Sequence, residues 1–301
     1  QDGTIDFTDI ISGLTTNDLQ GNSGSLDTRG SRTVQSAYAE FAVPLVSEDM
    51  NIPFVQEVDA QLAVRYENFD TFGSVTKPKV ALSWRPFDWM MVRSAWSEGF
   101  RAPNLQQQYE SGLQRSNLRT DFIRCEAARR NDPSIVFTTS CSIPAPNPPS
   151  TQSVISNRQG STELEPEEST NLTYGFVFEG AFLPPEWGEV SFTADWWRIE
   201  QSNVIGIFGD DNHILLDYVR RVTGQNGGFN PAVVRNTITD SDDDAFYAGS
   251  GIANPGDILF VEDNYINLDE RTVQGWDFGL YYDIDDTPLG DFSFRINAAF
   301  L

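Results

Sequence analysis

The chain has 301 residues, of which 44 are acidic and 20 are basic, so its formal net charge is −24 at pH 7. A surface this acidic repels phosphate backbones, and nucleic acid is therefore not expected as a partner. The single histidine, His213, argues against a zinc enzyme, a serine hydrolase and a haem protein, and we expect no cofactor.

From residue 36 onward, segments of about ten residues alternate between apolar and polar side chains, as β-strands with two unlike faces do. In residues 55–67, Leu62 belongs to an apolar set, whereas Glu57, Asp59 and Arg65 belong to the opposite, charged set. The alternation recurs in residues 36–45, 77–85, 90–101, 171–179, 190–201, 276–283 and 292–297. In residues 190–201 it loses phase around Trp197, where a β-bulge would account for the break.

Short and long connections alternate between these segments. Short turns are predicted at residues 47–54, 86–88, 183–188 and 285–290, and long loops at 102–165 and 206–256. The link at residues 70–75 is short but lies on the side of the long loops. In the second long loop, apolar spacing predicts a short helix over residues 213–222, and residues 258–268 return as strand before residues 272–283. Short turns on one side and long loops on the other are typical of an outer-membrane barrel.

The predicted fold class is therefore all-β, an antiparallel transmembrane β-barrel of which the chain supplies about eight or nine long meander strands. No apolar run reaches the ~18 residues that a transmembrane helix needs. Aromatic side chains near strand ends suit the headgroup level of a bilayer, although an aromatic sandwich core is the alternative. These side chains are Trp84, Trp89, Trp96, Tyr174, Trp187, Trp196, Trp276, Tyr281 and Tyr282.

The two cysteines, Cys125 and Cys141, lie in one polar stretch that contains prolines. A close pair in a loop predicts a disulfide formed in an oxidising compartment, and the alternative is two free thiols. The spacing is not that of a CxxC redox or zinc motif.

Residues 65–105 read RYENFDTFGSVTKPKVALSWRPFDWMMVRSAWSEGFRAPNL, and residues 164–171 read LEPEESTN. Both stretches resemble the barrel signatures of TonB-dependent outer-membrane receptors. The matching motif residues include Gly99, Phe100, Arg101, Ala102 and Pro103 in the first stretch. The second stretch contributes Pro166, Glu167 and Ser169.

The resemblance implies a barrel of about 22 strands filled by an N-terminal plug domain. It also implies active uptake of scarce ligands, driven by contact with TonB at the periplasmic side. Neither a plug nor a TonB box is found in the sequence, and Phe300 and Leu301 fall in mid-strand. We therefore expect residues 1–301 to be part of the barrel domain, without the plug domain and the last strands.

Several polar residues are candidates for functional positions. Arg101 either contacts ligand or plug or anchors a strand end to neighbouring carboxylates, and we favour the anchor. The charged set at inward positions is expected to line the lumen, either as a polar transport path or as simple solvation. Its members are Glu57, Asp59, Arg65, Arg93, Asp195, Asp277 and Arg295.

The two long loops carry aromatic candidates for gripping a ligand, and packing within the loops would explain them equally well. They are Tyr109, Phe122, Phe208, Phe229, Phe246 and Tyr247. Three loop carboxylates, Asp240, Asp242 and Asp244, are weak candidates for calcium, but they lack the EF-hand pattern and a solvated acidic loop is preferred. No metal site and no catalytic residue is therefore predicted.

The function expected from the sequence is that of a receptor that captures a siderophore, cobalamin or an oligosaccharide for TonB-driven import, not an enzyme. Its expected partners are outer-membrane lipid and lipopolysaccharide, TonB through an N-terminal region outside this chain, and the small-molecule or oligosaccharide cargo. The expected location is the outer membrane of a Gram-negative cell. The alternative is a secreted soluble all-β carbohydrate-binding module or glycosidase.

Overall fold

The structure is a computed structural model that describes residues 28–145, 147–180, 184, 187–236 and 241–301, apart from the side chains of residues 241–243 and 286. The strands are β1 (Val34–Val46), β2 (Glu57–Phe69), β3 (Gly73–Phe87), β4 (Met90–Arg101), β5 (Leu113–Thr120), β6 (Thr151–Arg158), β7 (Glu167–Glu179), β8 (Glu189–Ser202), β9 (Val204–Ile207), β10 (Val233–Arg235), β11 (Ile258–Glu262), β12 (Tyr265–Leu268), β13 (Arg271–Thr287) and β14 (Gly290–Phe300). The helices are α1 (Leu105–Tyr109), α2 (Phe122–Asn131), α3 (Asp210–Thr223) and α4 (Ser241–Ala248), with 3-10 turns at Glu48–Met50 and Gln225–Gly228. None of the described helices is long and apolar enough to cross a membrane.

Contacts between residues divide the chain into two units. The first, which we call the sheet unit, comprises residues 32–102, 165–204 and 267–301. The second, the loop unit, comprises residues 103–164 and 205–266 together with the residues up to Ser31. The predicted long loops therefore fall almost entirely in a unit of their own.

The sheet unit is built on one eight-stranded sheet in the order β1-β2-β3-β4-β7-β8-β13-β14. Every neighbouring pair in it is antiparallel. The strands follow chain order, and the two long connections leave between β4 and β7 and between β8 and β13. This arrangement confirms the predicted antiparallel meander and the predicted number of long strands.

The two faces of this sheet differ as the alternation predicted. Val80 lies opposite Leu62 on β2 and opposite Trp96 on β4, so apolar side chains form rows across the strands. These side chains are open rather than sealed in a core, since Leu62 and Val80 are each 44% exposed and Phe176 is 38% exposed. A soluble sandwich would bury such a face against a second sheet, whereas a barrel turns it outward to lipid.

The β-bulge predicted near Trp197 is absent, and that prediction is wrong. β8 pairs without a shift against β13 from Glu189 to Gln201, and against β7 from Ser191 to Ser202. The large indole is accommodated by a glycine instead. Gly275 lies directly opposite Trp197, and a Cβ at Gly275 would come within 3.0 Å of the indole ring.

The loop unit contains a four-stranded sheet in the order β10-β11-β6-β5, with β6 and β11 parallel. Its core is a cluster of buried side chains in which Ile214 of α3 packs with Val154, Val233, Ile258 and Val261. A second cluster joins α2 to α4. The predicted helix is confirmed by α3, but this additional sheet was not predicted, and β11 joins it instead of leading straight into β13.

Candidate functional site

The residues predicted to line the lumen share one face of the eight-stranded sheet. A continuous row of cross-strand partners runs from Asp59 through Ser83, Arg93, Gly175 and Asp195 to Asp277. The others lie at the same alternate positions: Glu57 lies opposite Arg85, Arg65 opposite Tyr38, and Arg295 opposite Tyr281. We call this side of the sheet the charged face.

Arg93 and Asp195 form a two-pronged ion pair at the centre of the charged face. Arg93 donates from Nε to Asp195 Oδ1 at 2.9 Å and from Nη2 to Oδ2 at 2.6 Å. The two residues lie on β4 and β8, with Gly175 of β7 between them. A Cβ at Gly175 would approach Asp195 Oδ1 to 1.9 Å, so the glycine opens the path across the intervening strand.

The two sequence motifs are neighbours in space, a proximity that was not predicted from the sequence. Gly99 lies opposite Ser169, Phe100 opposite Glu168 and Arg101 opposite Glu167. Beyond β4, Ala102 and the buried Pro103 lead to Asn104, whose side chain begins α1 in a capping box. Pro166 immediately precedes β7. Together the two motifs define where the chain leaves and re-enters the sheet.

Arg101 makes the anchoring contact that the sequence analysis favoured. Its Nε and Nη2 donate to the two carboxylate oxygens of Glu167, at 2.5 Å and 2.6 Å. The Glu167 side chain is 8% exposed, whereas the Arg101 side chain is 66% exposed. The pair therefore holds the guanidinium in place while most of it stays open.

The aromatic loop candidates separate by burial. Phe246 and Tyr247 are buried in the cluster that joins α2 to α4, so their rings are unavailable to a ligand in this structure. Burial also raises the pKa of the Tyr247 phenol. Phe122 stacks on Phe137 at 6.0 Å and packs against the core.

The remaining three aromatic candidates are less enclosed. Phe208 packs its ring edge-to-face against His213, with 4.9 Å between ring centroids. Tyr109 is partly buried, and its ring would block a Cβ at Gly30. Phe229 is 48% exposed, with the Arg221 guanidinium 5.9 Å from its ring centre. Phe229 is thus the most accessible of the six.

The weak metal candidates gain no support from the described residues. Asp240 and the side chain of Asp242 lie outside what the structure describes. Asp244 is exposed and accepts a hydrogen bond from Asn254 at 2.9 Å. Across the described ranges, no three His, Cys, Asp or Glu side chains gather in a group that could hold a metal ion.

The predicted disulfide is present between Cys125 of α2 and Cys141, whose Cα atoms are 5.7 Å apart. It ties the helix to the segment that leads to β6. No other cysteine exists in the chain.

The loop unit contains a buried ion network that was not predicted from the sequence. Arg235 donates to Asp121 at 2.7 Å and to Asp217 at 3.1 Å, and both carboxylates are fully buried. Burial by itself lowers the pKa of Arg235, but the charges of Asp121 and Asp217 outweigh it and raise that pKa. Arg221 adds a second cation to Asp217 at 3.0 Å. No local signal marks these residues, because Arg235 and Asp121 are 114 positions apart in sequence.

Asp263 is a further buried carboxylate of the loop unit, and it contacts His213, the only histidine of the chain. Its Oδ1 accepts the backbone N–H of Gly209 at 2.8 Å and lies 3.6 Å from His213 Nε2. Burial alone would raise the pKa of Asp263, but the contacts with His213, Gly209 and Arg158 lower it. Asp263 therefore favours its charged form in the folded unit.

Comparisons with known proteins agree with this architecture. The family model for the β-barrel of TonB-dependent-receptor-like proteins matches residues 2–300. A mutant of the ferric enterobactin receptor PfeA from Pseudomonas aeruginosa aligns with a TM-score of 0.50 at 14% identity, over 94% of this chain and 29% of that one. The siderophore receptor PirA from Acinetobacter baumannii aligns with a TM-score of 0.46 at 15% identity, over 90% of this chain and 29% of that one. No curated protein sequence matches.

At such low identity the structural likeness speaks only for the fold, and the chain spans less than a third of each of those two receptors. The family match carries more, because it covers nearly every residue. Proteins of this family are outer-membrane transporters of Gram-negative bacteria and not enzymes. By that match, and by its antiparallel sheet with one open apolar face, the chain belongs to the TonB-dependent receptors, as part of their β-barrel.

Proposed function

We propose that the protein containing this chain is an outer-membrane receptor that captures a scarce nutrient and imports it by TonB-driven transport. The cargo is a siderophore, cobalamin or an oligosaccharide. In this proposal the chain forms part of the barrel wall, and the receptor contacts TonB.

One observation carries this proposal: the eight-stranded sheet has an exposed apolar face and, on its other side, a face of paired charges. Apolar side chains left open on a long sheet favour aggregation in water but are stable against lipid chains. The charged face suits a water-filled or protein-filled interior. A sheet with these two faces supports a wall between membrane and lumen.

Aromatic rings near the short turns support the same placement. Phe87 packs on Phe54 at 5.7 Å and on Trp89 at 5.0 Å, and Trp89 packs on Phe178 at 5.0 Å. Such rings suit the level of lipid headgroups. Because the short turns of these barrels lie on the periplasmic side, this end of the sheet is assigned to that side. Residues 102–165 and 206–256 are then extracellular loops in reach of cargo and lipopolysaccharide.

The proposal is tested by deleting the gene and measuring growth with iron chelated, with cobalamin limiting, or with an oligosaccharide as sole carbon source. We expect loss of growth on one of these nutrients, restored by the full-length gene. The same loss should appear in a strain that lacks TonB. A deletion strain that grows like its parent on the whole panel would contradict the proposal.

A further inference from the structure

A cleft of about 810 Å³ lies on the charged face, within the sheet unit. Five of its eighteen lining residues are basic, namely Arg32, Arg65, Lys77, Lys79 and Arg101, and two are acidic. The chain as a whole has the opposite balance, with 20 basic and 44 acidic residues, and Lys77 and Lys79 are its only lysines. The cleft thus concentrates positive charge in a strongly acidic protein.

The cleft opens where two neighbouring strands separate. β3 and β4 pair from Phe87 and Met90 up to Lys79 and Ser97. In the described residues, no pairing joins the start of β3, residues 73–78, to the end of β4, residues 98–101. β3 nevertheless stays paired with β2 as far as Gly73, and β4 stays paired with β7 as far as Arg101. Both strands therefore continue past this point, each paired with its other neighbour, and a gap lies between them.

Arg65 and Arg101 are each held at this cleft by one glutamate, Arg65 through a single carboxylate oxygen and Arg101 through both. Each guanidinium donates from Nε and Nη2 to a glutamate, Arg65 to Glu67 and Arg101 to Glu167. The Arg65 side chain is 60% exposed and that of Glu67 is 9% exposed. The Arg101 side chain is likewise 66% exposed and that of Glu167 is 8% exposed. In these two pairs the carboxylates are hidden while the guanidinium groups stay open, so a ligand would meet positive charge at Arg65 and Arg101. Lys77 differs from them, because it is nearly buried and pairs with Glu98 and Glu168.

Each guanidinium also has N–H donors that are available to a ligand. Among the described residues, Nη1 of Arg65 and Nη1 of Arg101 have no hydrogen-bond partner. A guanidinium clamped along one edge is preorganised, and the free edge matches the two oxygens of a carboxylate or phosphate. Less side-chain entropy is lost when such a group binds an anion.

We propose that this cleft binds a small polyanion, a molecule with at least two carboxylate, phosphate or similar oxyanion groups, through Arg65 and Arg101. The volume falls within the range of small-molecule sites rather than that of a protein interface. Phe69 and Phe100, which line the cleft with their ring centroids 5.8 Å apart, add an apolar contact surface. The inference deepens the proposed function and rests on it in one respect, since the bound anion is taken to be the cargo class.

The test measures anion binding to the purified full-length receptor in detergent by calorimetry, with pyrophosphate and citrate as probes and chloride at matched ionic strength. We expect Arg65→Gln combined with Arg101→Gln to weaken pyrophosphate binding at least tenfold. The matched control is Arg271→Gln, because Arg271 lies on the same face outside the cleft and hydrogen-bonds Gln201. It should bind like the wild type.

A second pair of variants guards against loss of folding. Arg65→Lys with Arg101→Lys keeps both charges but removes the planar fork, and should give intermediate affinity. Equal binding by the wild type and the glutamine variant would overturn the proposal, as would a wild type that binds neither probe. Stronger binding of a polyglutamate peptide than of pyrophosphate would also overturn it, because the cleft would then take polypeptide.

The outcome is separable from that of the proposed function. If the receptor binds the anion but deletion of its gene leaves growth unchanged, the anion-binding proposal for the cleft is supported and the transport proposal is contradicted. Loss of growth on deletion without anion binding would do the reverse.

Discussion

The eight-stranded sheet and the loop unit differ in which side chains they bury. In the sheet unit, Leu62 and Val80 are open, and the Arg93–Asp195 pair remains partly accessible on the other face. In the loop unit, apolar side chains are sealed around Ile214, and Arg235 is buried with its carboxylates. The open apolar face of the sheet suits an apolar surrounding, whereas the loop unit buries its apolar side chains in a core of its own, as a unit in water does. The two units of one chain therefore differ in what stabilises them, and substitutions in one unit can be compared with substitutions in the other.

The largest effect is expected from Arg235→Ala. It leaves Asp121 and Asp217 buried without their shared cation, and breaking a buried pair in this way costs about 3–5 kcal/mol. Hydrogen exchange of the receptor should show lost protection in α2, α3 and β10, with the eight-stranded sheet unchanged. The exposed Arg115→Ala on β5 is the control and should change stability by no more than about 0.5 kcal/mol. Equal loss of protection in the sheet would erase the distinction between the two units.

Removal of the disulfide should have the next largest effect. Cys125→Ser with Cys141→Ser frees a loop of 16 residues, which is expected to cost the loop unit about 3 kcal/mol. The rate of limited proteolysis between α2 and β6 would rise accordingly. Reduction of the wild type should reproduce the variant, and an unchanged proteolysis rate in both would show that the buried clusters suffice without the bond.

A charge on the apolar face tests the rule of the sheet. Leu62→Arg places a cation against lipid, and we expect it to lower the free energy of unfolding in lipid vesicles by about 2 kcal/mol. Gln61→Arg is the matched control, since it is the adjacent residue on the charged face and should have little effect. Similar costs at both positions would mean that the two faces meet the same surroundings.

The smallest effect concerns pH and Asp263. Its folded-state pKa is lowered, so its stabilising contribution is present above the unfolded value of about 3.9 and is lost as pH falls below it. Asp263→Asn should therefore destabilise the loop unit by about 1 kcal/mol at pH 7, and the difference should shrink as pH falls through the lowered folded-state pKa of Asp263. Thermal unfolding at several pH values measures this, with the exposed Asp269→Asn as the matched control. A difference that stays constant as the pH is lowered would assign the effect to packing.

The sheet was predictable because its signal is local. Alternation within β2, β3 and β4 decides which side chains share a face, and neighbouring strands follow chain order. Membership of the charged face was predicted for this reason at Arg93 and Asp195. The bulge prediction at Trp197 failed because the space for the indole comes from Gly275, which is 78 positions away in sequence but directly opposite in the sheet.

The loop unit was largely unpredictable for the opposite reason. Apart from α3 and the disulfide, its order depends on partners that meet only in the fold, such as Arg235 with Asp121. The cleft has the same character, since Arg65 and Arg101 come from β2 and from the end of β4. Single residues of the cleft were recognised in the sequence, but their convergence was not.

Gly175 has a consequence for how this barrel can change over generations. Because Gly175 has no side chain, Arg93 can reach Asp195 across it. Any larger residue at position 175 would displace the carboxylate and leave both charges unpaired. A tolerated replacement at position 175 therefore requires simultaneous change at positions 93 and 195. In sequences of descendants these three sites should vary as one inherited set, although they are spread over a hundred positions of the gene.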